Sequence, residues 1–369
     1  MTVAVSEIDL DLYPMPDLPA RKDWQIGCIG AGFIMADIQI PAYRTAGFPV
    51  VAIASRTQAH AKAVADRHGI ETTHATWRAL LDDERVQVID IAFPPDQQLE
   101  IVEEACRRPH IKGILAQKPV AGSYADAAKL VEACANSDKV LAVNQNMRYD
   151  QSMRALKTVL DRGYLGEPVL ATIEMRAIPH WQAFLEGTSR LTFANVSIHH
   201  IDCFRYLFGD PEGVYLSART DPRTTFEHRD GICLYVLEYA NGFRASAWDD
   251  VWTGPVREGS EGDIYLKWRV EGTEGLAWGT IGWPFYPTPT PSTITFTTAK
   301  QPGYMLTPKW PEVWFPDAFQ GTMGALFDAL NGGENVLAGS NNLITMALIE
   351  AGYRSLDEKR LVRIDEITG

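Results

Sequence analysis

The chain has 369 residues, 46% hydrophobic and 22% charged, with a formal net charge of −13 at pH 7. That composition belongs to a globular protein with room for two domains of ordinary size. It excludes a phosphate-backbone binder, which needs clustered Lys and Arg, and no apolar run reaches the roughly eighteen residues of a membrane span.

Met1–Ala20 is acidic and Pro-containing and has no apolar signal core, so residues 1–22 read as an N-terminal arm and the cytoplasm as the expected compartment. The stretch Trp24–Met35 then runs an apolar strand into Gly30-Ala31-Gly32, with a helix starting at once at Phe33-Ile34. Glycines there permit a tight turn and let backbone N–H groups approach a pyrophosphate at the positive end of the helix dipole. The third fingerprint position, usually Gly or Ala, falls on Met35. Apolar runs at Val50–Ala54, Val88–Phe93, Gly113–Ala116 and Val140–Val143 alternate with helical stretches at Thr57–His68, Asp96–Arg108 and from Ser123, which has Asp126 at capping-box spacing. Such alternation predicts a parallel sheet covered on both faces, the context a dinucleotide turn requires.

The second strand ends Ala54-Ser55-Arg56-Thr57, where an NAD site usually places a carboxylate for the ribose 2′-hydroxyl. Ser55 and Arg56 suit a 2′-phosphate, which points weakly to NADP; an Arg56 that stacks on adenine or stays solvated tolerates NAD.

After Met147 the pattern changes. Tyr149–Arg162 has helical spacing and stops at Gly163. From Val169 the period becomes two, and β-rich runs follow at Val214–Thr220, Gly231–Tyr239, Phe243–Asp249, Asp263–Val270 and Ser292–Thr298. These predict a mostly antiparallel sheet. Helices near Asp317–Leu330 and Asn342–Leu356 close the chain. The expected fold class is α/β. A doubly wound Rossmann domain spans residues 23–147, and an α+β substrate and oligomerisation domain with a large open sheet spans residues 148–369.

Two constellations carry chemistry. Gln117-Lys118-Pro119 ends the Gly113–Ala116 strand, where ligands of open α/β sheets bind, and the proline biases Lys118 toward an extended backbone; the bland alternative is an exposed lysine. In Asn195-Val-Ser-Ile-His199-His200-Ile-Asp202, a helix puts Asn195, His199 and Asp202 on one face. An imidazole between an amide and a carboxylate is suited to general-base work; the alternative is a buried structural histidine. His200 points about 100° away on the wheel and is the poorer candidate. Arg148, Tyr149, Arg176, His180, Trp181 and Gln182, with Trp248-Asp249-Asp250, are candidate sugar contacts, or core aromatics of the second domain. Five widely spaced cysteines without a C-x-x-C pair, and eight histidines without a metal spacing, suggest no disulfide framework and no metal. The cysteines read as small apolar residues, with a catalytic thiol as the sharper alternative.

In order along the chain, Gly30-Ala-Gly32, Gln117-Lys118-Pro119, Asn144-Gln-Asn-Met-Arg148-Tyr149, Gly163-Tyr-Leu-Gly166-Glu-Pro168, Ser197-Ile-His199-His-Ile-Asp202 and the closing Phe315–Phe319 and Glu350–Ser355 segments resemble the Gfo/Idh/MocA oxidoreductases over roughly Gln25 to Ile364. The resemblance implies reversible oxidation of a hydroxyl on a sugar, glycoside or cyclitol, with hydride passing to NAD or NADP. The open sheet of that family often forms a subunit interface, so a homodimer or homotetramer is expected. It implies cofactor contacts at Gly30, Gly32, Phe33, Ile34, Ser55, Arg56, Pro94, Gln117, Lys118 and Asn146. The catalytic set is Lys118, His199 and Asn195, with Lys118, Arg148, Tyr149, Arg176, His180, Trp181, Asn195 and His199 toward the substrate. Gln117 replaces the family's glutamate and Asn195 its aspartate, which removes two negative charges from the reacting centre. Two further readings stay open: a hydrolase or lyase that oxidises and re-reduces its sugar on retained cofactor, and a non-catalytic nucleotide-sensing regulator.

Overall fold

The computed structural model describes residues 11–12, 14–176, 183–251 and 262–369. It divides into two compact units, one made of Pro16–Asn146 with Phe315–Met346, the other of the remainder.

In chain order the elements are β1 (Ile26–Ile29), α1 (Ile40–Ala46), β2 (Val50–Ala54), α2 (Gln58–His68), β3 (Thr72–His74), α3 (Trp77–Leu81), β4 (Val88–Ile91), α4 (Pro95–Cys106), β5 (Gly113–Ala116), α5 (Tyr124–Ala135) and β6 (Val140–Val143). After these come α6 (Gln151–Asp161), β7 (Pro168–Arg176), α7 (Ile198–Phe208), β8 (Gly213–Arg219), β9 (Ile232–Glu238), β10 (Arg244–Asp250), β11 (Tyr265–Gly272), β12 (Gly275–Thr280) and β13 (Thr293–Thr298). The chain closes with α8 (Phe319–Leu330), α9 (Gly339–Glu358), β14 (Val362–Arg363) and α10 (Asp365–Thr368).

The first unit is a parallel sheet in the order β3-β2-β1-β4-β5-β6. Strands β1, β4 and β5 are buried at every position, as a sheet covered on both faces demands. Ser123 caps α5: its Oγ accepts from the Asp126 N–H at 3.1 Å and donates to the Asp126 carboxylate at 2.9 Å. The segment Phe315–Met346 returns to this unit, where Phe327 packs on Phe48 at 4.7 Å between centroids and the Val143 N–H donates to the Leu337 carbonyl at 2.9 Å.

Between the glycine turn and α1 lies a π-helical stretch, Ile34–Gln39. Met35, fully buried, occupies the position where the fingerprint expects a small residue, and it lies within this π-helical stretch. Gln39 and Tyr43 anchor the same stretch from beneath: Gln39 Nε2 and the Tyr43 hydroxyl donate to the Asp90 carboxylate on β4 at 2.6 and 2.7 Å. Burial raises the Asp90 carboxyl to about 7, although these two hydrogen bonds oppose the shift. The folded protein therefore holds a proton here that the unfolded chain releases between about pH 4 and 7, so this stability contribution is complete at acid pH and lost as pH rises through 7. Asp90→Asn removes the titration. Relative to the variant, the wild type is expected to lose on the order of 4 kcal/mol of unfolding free energy between about pH 4 and pH 8. Paired denaturant titrations across that range measure the difference, and parallel pH profiles contradict it.

The second unit is built on an eight-stranded sheet in the order β13-β12-β11-β7-β10-β9-β8-β14. Its pairs are antiparallel except β7–β10. Ala171, Ile173 and Met175 of β7 face inward, and Trp268 of β11 is fixed under α6 by an indole N–H donated to Ser152 Oγ at 3.1 Å. On the opposite face Leu170, Tyr215, Leu234 and Trp248 are 38–43% exposed, an apolar surface larger than isolated solvent-facing residues require. Helix α6 begins two residues later than its apolar spacing suggests because Asp150 is its N-cap, accepting from the Ser152 and Met153 N–H groups.

Candidate active site

In the parallel-sheet unit, Gly30 adopts φ +116°, and a Cβ there would lie 2.6 Å from the Ala92 carbonyl oxygen, so both conformation and close approach require glycine. At Gly32 a Cβ would meet nothing within 4 Å. The turn is therefore open on the side a Gly32 side chain would occupy, which leaves room for a pyrophosphate to approach. Phe33 and Ile34 are half-buried behind it, with Phe33 6.5 Å from the Phe315 ring. Ser55 is half-buried and Arg56 exposed at the end of β2. Pro94, half-buried, is the N-cap of α4.

Lys118 follows β5 directly. Its segment is gripped by Gln98 of α4, a residue the sequence did not single out. The Gln98 Nε2 donates to the carbonyls of Gln117 and Pro119, both at 2.9 Å, while its Oε1 accepts from the Gln117 N–H at 2.8 Å. Both sides of Lys118 are therefore fixed by one fully buried amide. Loss of hydration pulls the Lys118 ammonium down to about 8.

Beside it, at the ends of β5 and β6, buried amide atoms of Gln117, Asn144, Gln145 and Asn146 have no hydrogen-bond partner among the described residues. Buried amides in that state mark a surface built for a polar ligand or ordered water. With the open glycine turn, they fit the carboxamide, ribose and pyrophosphate groups of a nicotinamide dinucleotide.

In the second unit, the helix bearing His199 starts with a π-helical stretch, Phe193–Ser197, and continues as α7. Three buried carboxylates anchor it. Asp230 accepts from the Leu191 and Phe193 N–H groups, both at 2.8 Å, at the helix start, and takes the Tyr353 hydroxyl at 2.7 Å. Asp249 of β10 accepts from Ser197 Oγ and lies 3.0 Å from His200 Nδ1. Asp202 receives the Arg148 guanidinium in a fork, with Nε and Nη2 at 2.5 and 2.7 Å. Asp249 and Asp230 were not legible as helix anchors, because one is brought in from β10 and the other from the loop before β9.

His199 and Asn195 are half-buried on the open side of this helix, whereas His200 is fully buried. Asn195 Nδ2 donates to the carbonyls of Arg190 and Leu191 at 2.8 and 2.9 Å. The His199 ring meets Trp314 edge-on at 6.0 Å, and Trp314 in turn meets Trp283 at 6.1 Å. Trp283 is half-buried, so the imidazole sits beside an aromatic wall that sequence alone did not separate from the other tryptophans.

The remaining candidates are placed as follows. Arg148 is committed to Asp202, and Tyr149 is buried with its hydroxyl pushed up by desolvation. Arg176 lies on the outward face of β7, stacked 3.6 Å above Trp248. Asp250 pairs with Arg223 at 2.6 Å. His180, Trp181 and Gln182 lie outside the described residues. Among the described residues no group of three His, Cys, Asp or Glu side chains is placed to hold a metal ion, and no helix is long and apolar enough to cross a membrane.

A parallel sheet in the 3-2-1-4-5-6 order, a glycine turn open to a pyrophosphate and a desolvated lysine at a strand end define a nucleotide-dependent oxidoreductase. Residues 24–145 match the model of an oxidoreductase family with an NAD-binding Rossmann fold, and residues 153–277 match the Gfo/Idh/MocA C-terminal domain. The chain belongs to the Gfo/Idh/MocA family of oxidoreductases.

It is similar to the D-apiose dehydrogenase of Rhizobium rhizogenes, 29% identical over 342 residues that cover 91% of this chain and 96% of that one. Inositol 2-dehydrogenase 1 of Saccharopolyspora erythraea is 30% identical over 186 residues, 50% of this chain and 54% of its own. Among solved structures, an oxidoreductase from Agrobacterium radiobacter in complex with NAD+, L-tartaric acid and magnesium has a TM-score of 0.81 at 25% identity, covering 93% of this chain and 99% of its own.

Proposed function

We propose that this protein oxidises a secondary hydroxyl of a sugar, glycoside or cyclitol and passes the hydride to a nicotinamide dinucleotide. The observation that carries this reading is Lys118, a lysine held at about 8 by desolvation and fixed on both sides by Gln98 at the carboxyl end of β5. Bound nicotinamide supplies the hydride acceptor. Lys118 donates to the hydroxyl oxygen, His199 takes the hydroxyl proton, and Asn195 orients the substrate. Trp283, half-buried and linked to His199 through the buried Trp314, favours a ligand with apolar CH faces and polar edges, which is the surface of a pyranose, furanose or cyclitol. The names of the D-apiose and inositol dehydrogenases to which the chain is similar agree with that class. Incubation with D-apiose, myo-inositol and a panel of aldoses and glycosides, each with NAD and NADP, tests it through the absorbance of reduced cofactor. Sugar turnover without net reduced cofactor instead identifies the redox-assisted hydrolase or lyase. Complete inertness with tight nucleotide binding identifies the regulator.

For the cofactor, the exposed Arg56 beside Ser55, with no carboxylate at the end of β2, supports NADP. The ratio of kcat/KM for NADP over NAD is expected to exceed one and to fall below one in Arg56→Ala; a wild-type ratio well below one contradicts the preference. The apolar outer face of the eight-stranded sheet supports a homodimer or homotetramer, which sedimentation equilibrium measures.

A further inference from the structure

Three of the five cysteines, Cys28, Cys203 and Cys233, are sealed in the interior at 0% exposure, and desolvation pushes their thiols up. The other two differ. Cys106 is the last residue of α4 and Cys134 lies in the last turn of α5, and their sulfurs are 3.9 Å apart. Cys106 is half-buried, whereas Cys134 is 2% exposed. Nothing in the proposed oxidation uses this pair.

We propose that Cys106 and Cys134 form a thiol-modification site that exchanges with low-molecular-weight disulfides and closes to an intramolecular disulfide between α4 and α5.

The order of events follows from the geometry. Cys106 is the attacking sulfur because it is the less buried of the two, and its thiol is lowered chiefly by its hydrogen bond with Cys134, with Ser137 and the nearby Lys139 ammonium adding to it. Cys134 is shifted the opposite way, since it holds the proton the two sulfurs share. The Cys106 thiolate attacks one sulfur of the small disulfide, forming a protein mixed disulfide and releasing one thiolate. Cys134 then loses its proton to solvent and attacks the Cys106 sulfur, and the second small thiol leaves. Two protein thiols are oxidised by two electrons, and one small disulfide is reduced to two thiols. The gap that must close, from 3.9 Å to a bond of about 2.05 Å, is on the scale of a side-chain rotation rather than a helix displacement.

The test uses the full chain with oxidised glutathione as probe, followed by thiol counting under denaturing conditions and intact mass. The wild type is expected to go from five titratable thiols to three, with a mass loss of two hydrogens and no added glutathione. Cys134→Ser, which lacks the resolving sulfur, is expected to accumulate one glutathionyl group, mapped to Cys106 by peptide mass. Cys106→Ser is expected to stay unmodified. A wild-type chain that keeps all five thiols or stops at the mixed disulfide overturns the proposal, as does modification at any of the three sealed cysteines in preference to Cys106. No outcome depends on which sugar, if any, the protein oxidises.

Discussion

Replacing Lys118 with methionine is expected to lower turnover by about 10³-fold while leaving the dissociation constant of the nicotinamide dinucleotide within a few-fold of wild type. Methionine keeps the length and the apolar stem but removes the cation proposed to stabilise negative charge on the hydroxyl oxygen as its proton leaves. On the proposed reading the dinucleotide is held instead by the glycine turn and the amides at the ends of β5 and β6. The sign of the pH dependence follows from the same group. The Lys118 ammonium is at about 8, so the active form is present below that pH and is lost above it. The profile of kcat/KM is expected to fall as pH rises through about 8. Lys118→Arg, whose guanidinium keeps its proton, is expected to lose that limb along with part of the activity. Steady-state kinetics with cofactor titration by fluorescence separates the two effects. A Lys118→Met enzyme that keeps most of its kcat contradicts the assignment.

The second large effect is at His199. His199→Asn removes the proposed proton acceptor while preserving a polar side chain on the same helix, and turnover is expected to fall by about 10² to 10⁴-fold, the range of general base contributions. The helix itself is secured by Asp230, Asp249 and the Asp202–Arg148 fork, so the variant is expected to keep the wild-type unfolding midpoint. His200→Asn behaves oppositely: it breaks the buried contact with Asp249, and its main expected effect is on stability. A His199→Asn variant with most of its turnover rules out the proton-acceptor role, and equal destabilisation in both variants denies the division of labour between the two neighbouring histidines.

The first half of the fold was legible because its buried strands are short apolar runs separated by helical stretches. The glycine turn was readable for the same reason, since Gly30 is the residue that the Ala92 carbonyl leaves no room to replace. The short β3 and α3, three and five residues long, carry too little periodicity to stand out. In the second half β12 was missed because glycines and a tryptophan interrupt its alternation between Gly275 and Thr280. The closing helices were visible, but their period does not say which sheet they cover, and Phe327 against Phe48 supplies that information only in three dimensions. At the site, Lys118 and His199 stood out as chemistry at the ends of elements. Their supports did not. Gln98 is a polar residue on an otherwise ordinary helix until its amide is seen to span Gln117 and Pro119. Arg148 read as a substrate contact because nothing in the sequence pairs it with Asp202, 54 positions away.

The most direct measurement is a stoichiometric balance with the best substrate of the sugar panel: oxidised sugar and reduced dinucleotide counted in the same reaction. One reduced dinucleotide per sugar oxidised is expected, with both lost together in Lys118→Met and His199→Asn. Product formed without reduced dinucleotide, or equal amounts of both in either variant and the wild type, contradicts it.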